Sequence, residues 1–150
     1  MTLNDIKPER AVESDCDEIC ALENLCFSDP WPKEAILAQI SGEGKITLIV
    51  RKNGRIAGYI GMMYVLDEGY ISNLAVLPEF RRTGVGKALV SGMAQTSKEL
   101  KLSFLSLEAR QSNTAAVALY EAQGFGIAGI RKAYYEKPRE DALIMTMFLS

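Results

Sequence analysis

One segment, EFRRTGVGKAL at residues 79–89, decides more of the architecture than any other, because a glycine-punctuated turn there separates two different periodicities. Before it, YISNLAVL (70–77) has the apolar, β-rich character of a strand. After it, Val85, Ala88, Leu89, Met93 and Leu100 fall at helical spacing, the stripe of an amphipathic helix over 85–100. LSFLSLEAR (102–110) then reads as another strand. Strand, turn, helix and strand make a crossover, and a crossover joins parallel strands of one sheet.

The flanking segments are of another kind. ITLIVRK (46–52), RIAGYIGMMYVL (55–66) and YISNLAVL read as a meander, turned by Asn53-Gly54 and again by Asp67-Glu68-Gly69. FGIAGIRKAYY (125–135) and DALIMTMFL (141–149) read as a closing pair of strands, and residues 6–12 leave room for one more. Ile19, Leu22 and Cys26 share one helix face, and a short helix is expected to start with Pro32 at its first position. Another helix runs from about Thr114 to Gln123 and stops at Gly124.

The expected fold is therefore α/β (α+β). A mixed, mostly antiparallel sheet of six or seven strands carries helices on both faces and a central β-α-β crossover. Residues 1–150 suit a single domain, a length that buries roughly 70% of the unfolded surface.

Charge and composition exclude several classes of function. A formal net charge of −2 gives no global basic field for nucleic acid. MTLNDIKPER has no signal-peptide core, and IAGYIGMMYVL (56–66) is too short to span a bilayer, so a cytoplasmic protein without membrane partners is expected. Cys16, Cys20 and Cys26 lack C-x-x-C spacing and read as buried free thiols. The chain contains no histidine, which removes Ser-His and Cys-His pairs and the commonest zinc ligand, and no metal is expected. Proton transfers must fall to Glu, Asp, Tyr or Lys.

Two familiar glycine motifs fail at the turn. A P-loop would need glycine where Arg81 stands and a hydroxyl where Ala88 stands, and a dinucleotide fingerprint would need glycine at Leu89. What remains is R-x-x-G-x-G between strand and helix, with free amides at the positive end of a helix dipole. Gly84 and Gly86 permit close approach, while Arg81, Arg82 and Lys87 add local charge. A diphosphate cradle and a plain solvated glycine loop are both open on this segment alone.

With NLAVLPEF before the turn and LEARQSNTAAVALYEAQGF after it, the chain resembles the GNAT N-acetyltransferase family. The likeness is strongest to its ribosomal-protein-alanine N-acetyltransferase (RimI) branch, in which FSDPWPKE, RKAYY and REDALIM also have counterparts. That resemblance implies acetyl-CoA as cosubstrate. Leu74, Ala75 and Val76 would offer main-chain groups to the pantetheine arm and the thioester carbonyl. Arg81, Arg82, Thr83, Gly84, Val85, Gly86 and Lys87 would surround the pyrophosphate, and Asn113 would touch the pantetheine side. Ordinary strand core is the alternative for 74–76, and a helix N-cap is compatible with the cofactor role of Asn113.

In LSFLSLEAR, Leu105, Leu107 and Ala109 alternate with Phe104, Ser106, Glu108 and Arg110, so Glu108 projects opposite the leucine face near a strand end. A solvated surface glutamate fits that position, as a core aromatic fits Tyr120. The resemblance makes Glu108 the general base and Tyr120 the general acid. Freeing an α-amine of pKa 7.7 to 8.0 at pH 7 costs roughly 1 to 1.4 kcal/mol, against about 4.6 kcal/mol for a lysine. Glu108, directly or through a water, suits the smaller task, and a phenol still protonated at pH 7 can serve the departing thiolate. No covalent nucleophile is evident, so direct transfer in a ternary complex is expected.

Trp31, Tyr134 and Tyr135 come from segments that the family places near the acceptor, and they form a candidate apolar slot for a peptide's first residues. Core packing is the alternative for each. Pro32 stands where relatives often carry a serine cap, which alters the slot's edge. By resemblance the acceptor is the N-terminal alanine of a small-subunit ribosomal protein. Acetylation of a polyamine or aminoglycoside, which would call for a carboxylate-rich pocket, and a non-catalytic acyl-CoA-binding module remain as alternatives.

Overall fold

A computed structural model describes residues 6–136 and 138–149. Seven strands and four α-helices follow in the order β1 (Glu9–Arg10), α1 (Cys16–Cys26), α2 (Lys33–Ser41), β2 (Lys45–Lys52), β3 (Arg55–Val65), β4 (Glu68–Val76), α3 (Val85–Glu99), β5 (Phe104–Arg110), α4 (Thr114–Ala122), β6 (Gly126–Glu136) and β7 (Arg139–Phe148). They form one sheet in the order β1-β2-β3-β4-β5-β7-β6. Only β4 and β5 are parallel, joined by the α3 crossover expected from the glycine turn. The mixed, mostly antiparallel sheet is as expected, and β1 is the extra strand for which residues 6–12 left room.

The central strands are buried on both faces. Ile46, Leu48 and Val50 of β2 and Ile60 and Met62 of β3 meet Val85, Leu89, Val90 and Met93 of α3. Ile49 and Tyr59 point the other way, into a second core with Ile19 and Leu22 of α1 and Ile36 of α2. Gly58 is what lets α3 approach so closely, since a Cβ there would lie 2.9 Å from both the Ala75 carbonyl and Val85 Cγ1. Among the described residues no helix is long and apolar enough to cross a membrane.

Four local expectations need correction. The β3–β4 turn falls at Leu66-Asp67, not at 67–69, with Leu66 at φ 55°. Gly69 lies inside β4, because a Cβ there would strike Leu105 and Leu102 at 2.7 and 2.9 Å. Leu100 is outside the α3 stripe, 38% exposed past the helix end, and Val90 and Ser97 fill the face instead. Pro32 is the N-cap of α2 and not its first residue; its carbonyl accepts from Ala35 and Ile36 at 3.0 and 3.2 Å. Of the three free thiols only Cys16 is buried, Cys20 and Cys26 being half-buried.

Candidate active site

The crossover leaves an opening in the sheet. β4 and β5 pair only from Glu68, Gly69 and Tyr70 to Phe104, Leu105 and Ser106, and then separate. A bulge at Ser72, where the β3 register slips between Gly61 and Met62, bends β4 away at that point. Gln39 of α2 braces the bend, with Nε2 donating to the Ile46 and Met62 carbonyls at 3.1 and 3.0 Å. Beyond the bulge the edge of β4 is open. The Val76 carbonyl accepts from Arg81 Nε at 3.1 Å and Cys26 Sγ at 3.4 Å, so it faces away from β3. Main-chain groups alternate sides along a strand, which puts Leu74 on the same free edge as Val76. Ala75 instead turns its side chain into the core under α1 and α2.

At the end of that edge stands the glycine turn. Arg82 and Gly84 both take positive φ, 63° and 93°, and Gly84 caps α3 with no side chain. The first intrahelical bond runs from the Ala88 N–H to the Gly84 carbonyl at 3.0 Å, so the amides of Val85, Gly86 and Lys87 have no partner within the helix. They form a ready cradle for an anion at the positive end of the dipole. A Cβ on Gly86 would come within 3.2 Å of Leu119 and 3.8 Å of Val76, so glycine keeps α4 and β4 close to the turn. The Thr83 hydroxyl donates to the Phe80 carbonyl, while Arg82 and Lys87 are exposed.

A cleft of about 750 Å³ opens beside the β4–β5 gap, and Leu74, Glu108, Asn113, Tyr120, Trp31, Tyr134 and Tyr135 all line it. β5 carries Glu108 into it; the carboxylate lies 3.5 Å from Arg131 Nε, and the Glu108 carbonyl accepts the Tyr135 hydroxyl at 3.1 Å. Tyr120 arrives from the last turn of α4. Gly124, at φ 106°, ends that helix with Phe125 N–H on the Tyr120 carbonyl (3.0 Å) and Gly124 N–H on Glu121 (3.1 Å). The reversal folds Phe125 onto Tyr120, ring centroids 5.6 Å apart, and so GF after LYEAQ fixes the phenol. Burial first, and then Tyr135, pushes that phenol well above the ordinary tyrosine value. Asn113 caps α4 by accepting the Ala116 N–H at 3.2 Å, and it faces the cleft as well.

Adjacent tyrosines on a regular strand would face opposite ways. Tyr134 and Tyr135 share the cleft because β6 bulges between Arg131 and Tyr135, with Ala133 at φ 50°. The Asp141 carboxylate holds the bulge through the Ala133 N–H at 2.8 Å. The rings meet edge to face at 5.0 Å, and Arg110 stacks 4.2 Å above Tyr135. Burial, then Tyr134, pushes the Tyr135 phenol up to about 12.

Sequence reasoning missed Glu23, Asp29 and Glu136 in this wall. Glu23 had a legible signal, since it lies four residues beyond Ile19 on the buried face of α1. The other two come from irregular or bulged chain that no periodicity describes.

The model of the Acetyltransferase (GNAT) family matches residues 16–125. A [ribosomal protein bS18]-alanine N-acetyltransferase of Escherichia coli (strain K12) is 37% identical over 131 residues, covering 86% of this chain and 88% of that one. The enzyme of the same name from Haemophilus influenzae is 36% identical over 138 residues, covering 90% and 93%. The crystal structure of the ribosomal-protein-S18-alanine N-acetyltransferase from Escherichia coli superposes with a TM-score of 0.90 at 33% identity, over 97% of this chain and 94% of that chain.

Proposed function

Because the chain belongs to the acetyltransferase (GNAT) family, we propose that it transfers the acetyl group of acetyl-CoA to the N-terminal α-amine of a protein, the N-terminal alanine of ribosomal protein bS18. The observation that carries this reading is the convergence of Glu108, Tyr120 and the aromatics Trp31, Tyr134 and Tyr135 on one cleft beside the β4–β5 gap. Relatives more than a third identical to this chain, whose names specify that acceptor, support it.

The residues present fit acetyl-CoA, which supplies the acetyl group as a thioester and whose sulfur departs as a thiolate. Free amides of Val85, Gly86 and Lys87, with the Arg82 and Lys87 charges, hold the diphosphate. The open edge at Leu74 and Val76 runs along the pantetheine arm, and its N–H groups steady negative charge on the thioester oxygen. Arg81 orders that edge through the Val76 carbonyl. Glu108, directly or through a water, takes the proton from the incoming ammonium. Tyr120, kept protonated by its burial, donates toward the sulfur. Trp31, Tyr134 and Tyr135 grip the first residues of the acceptor.

Acetyl-CoA turnover on peptides with free and blocked N-termini, with mass spectrometry locating the product, tests the reading. The bS18 N-terminal peptide is expected to be acetylated on its α-amine and its blocked form to be inert. Acetylation of internal lysines alone, or preferred turnover of a polyamine, overturns it.

A further inference from the structure

Glu23 is 1% exposed, yet its carboxylate stands in the cleft wall. Oε1 accepts the main-chain N–H of Trp31 at 3.0 Å. Oε2 accepts Nδ2 of Asn73 at 2.8 Å and the hydroxyl of Tyr59, and Asn73 also donates to the Tyr59 oxygen at 2.9 Å. Burial, followed by the Glu23 carboxylate, pushes the Tyr59 phenol up, so it remains a donor.

A leucine of similar length would serve the packing of α1 equally well. A buried carboxylate persists only where donors replace its lost water, and here three do so from three separate segments. Two of those segments matter to the cleft. Trp31 belongs to its aromatic wall, and Asn73 sits between the Ser72 bulge and Leu74 on the open edge of β4. Among the described residues, the Trp31–Glu23 bond is the only hydrogen bond that residues 28–31 make.

We infer that Glu23 is a positioning residue whose carboxylate ties the Trp31 loop to β4 at Asn73, and so sets the gap between the acceptor wall and the thioester edge. The inference rests on reading this cleft as the acceptor site. Tyr59 buttresses the bridge from beneath and touches neither substrate.

Trp31 is the only tryptophan of the chain, so its fluorescence reports the loop without any reaction. Glu23→Leu removes the acceptor atoms and keeps the bulk. It is expected to raise the acceptor KM about tenfold, with kcat and the acetyl-CoA KM within about twofold. Acrylamide quenching of Trp31 should rise about twofold in the same variant. Glu23→Gln keeps an acceptor for the Trp31 N–H but turns its amide nitrogen toward the Asn73 Nδ2 donor, so it should restore the quenching while recovering only part of the acceptor KM. Asn73→Ala, at a half-buried position, cuts the bridge at β4 and should raise the acceptor KM about threefold. Glu23→Leu with a lowered Tm but wild-type quenching and acceptor KM overturns the inference. So does a wild-type acceptor KM in Asn73→Ala, should Glu23→Leu fail to fold. If the wild-type protein turns over no peptide, the proposed function fails, while the quenching result still decides whether the bridge exists.

Discussion

Tyr120→Phe removes one hydroxyl and leaves the ring, its contact with Phe125 and the helix stop untouched. The hydroxyl makes no hydrogen bond among the described residues, and the side chain is 7% exposed. The fold should therefore lose little, and Tm should move by no more than about 2 °C. The catalytic cost follows from proton affinities. An ordinary phenol near 10 facing a thiolate of pKa about 8.5 makes complete proton transfer uphill by about 2 kcal/mol. Burial raises the phenol further. In the proposed reaction Tyr120 would stabilise the sulfur mainly as a hydrogen-bond donor while charge develops, a contribution of about 1.5–3 kcal/mol for a charged partner. The upper end applies in a cleft walled by aromatics, which gives a fall in kcat of about 10². Following CoA release with a thiol reagent at saturating acetyl-CoA measures it, and the acetyl-CoA KM should stay within about twofold. A kcat within about threefold of wild type would mean that the phenol is only a packing residue. A fall matched by an equal loss of acetyl-CoA affinity would place its role in binding.

Glu108→Gln should lower kcat/KM at pH 7 by about 10² or more and flatten the acid limb of the pH-rate profile; an unmoved limb would point to another base. Gly84→Ala places a Cβ at φ 93°, which should cost about 1–2 kcal/mol of stability and crowd the anion cradle. Isothermal titration should then find weaker acetyl-CoA binding with the acceptor KM unchanged, and unaltered binding would move the diphosphate elsewhere. The Ser112 side chain, and after it the Ser112 N–H, hold the Glu140 carboxyl below its ordinary value, and the Ala133 N–H does the same for Asp141. Their stabilisation is complete above the unfolded values near 4 and is lost as pH falls through the folded ones. Hydrogen exchange should show the β6–β7 hairpin loosening before the rest of the sheet as pH drops below about 4, and simultaneous loss everywhere would refute this.

What could be read from the sequence was periodic or rested on a turn with strict backbone demands. The alternation through Leu105, Leu107 and Ala109 put Glu108 on the correct face, and Gly84 and Gly124 marked the start of one helix and the stop of another. The turn at Leu66 escaped because a non-glycine residue takes the positive φ there, while nearby Gly69 exists to clear Leu105. The shared orientation of Tyr134 and Tyr135 escaped because it depends on a bulge held by Asp141, and alternation predicts the reverse. The separation of β4 from β5 begins at the Ser72 bulge, where Gln39 bonds carbonyls of β2 and β3, a long-range arrangement with no local trace.

Charge in the cleft is more abundant than an aromatic slot suggests, and its placement favours an acceptor with one reacting amine. Four carboxylates line it, from Glu23, Asp29, Glu108 and Glu136. Three donors saturate Glu23, and Glu108 lies 3.5 Å from Arg131, while Arg110 pairs with Glu140 at 3.2 Å. Asp29 and Glu136 are exposed at the mouth. Carboxylates there draw a cation in from solution, where salt screens them within about 10 Å. At the point of attack the opposite is required, because the amine must shed its proton and strong anionic binding would hold the charged form. A polyamine keeps further ammonium groups that would need unpaired carboxylates deep in the pocket, and the deep carboxylate here is already taken by Trp31, Tyr59 and Asn73. A peptide N-terminus has one charge to lose and an apolar body to leave against Trp31, Tyr134 and Tyr135.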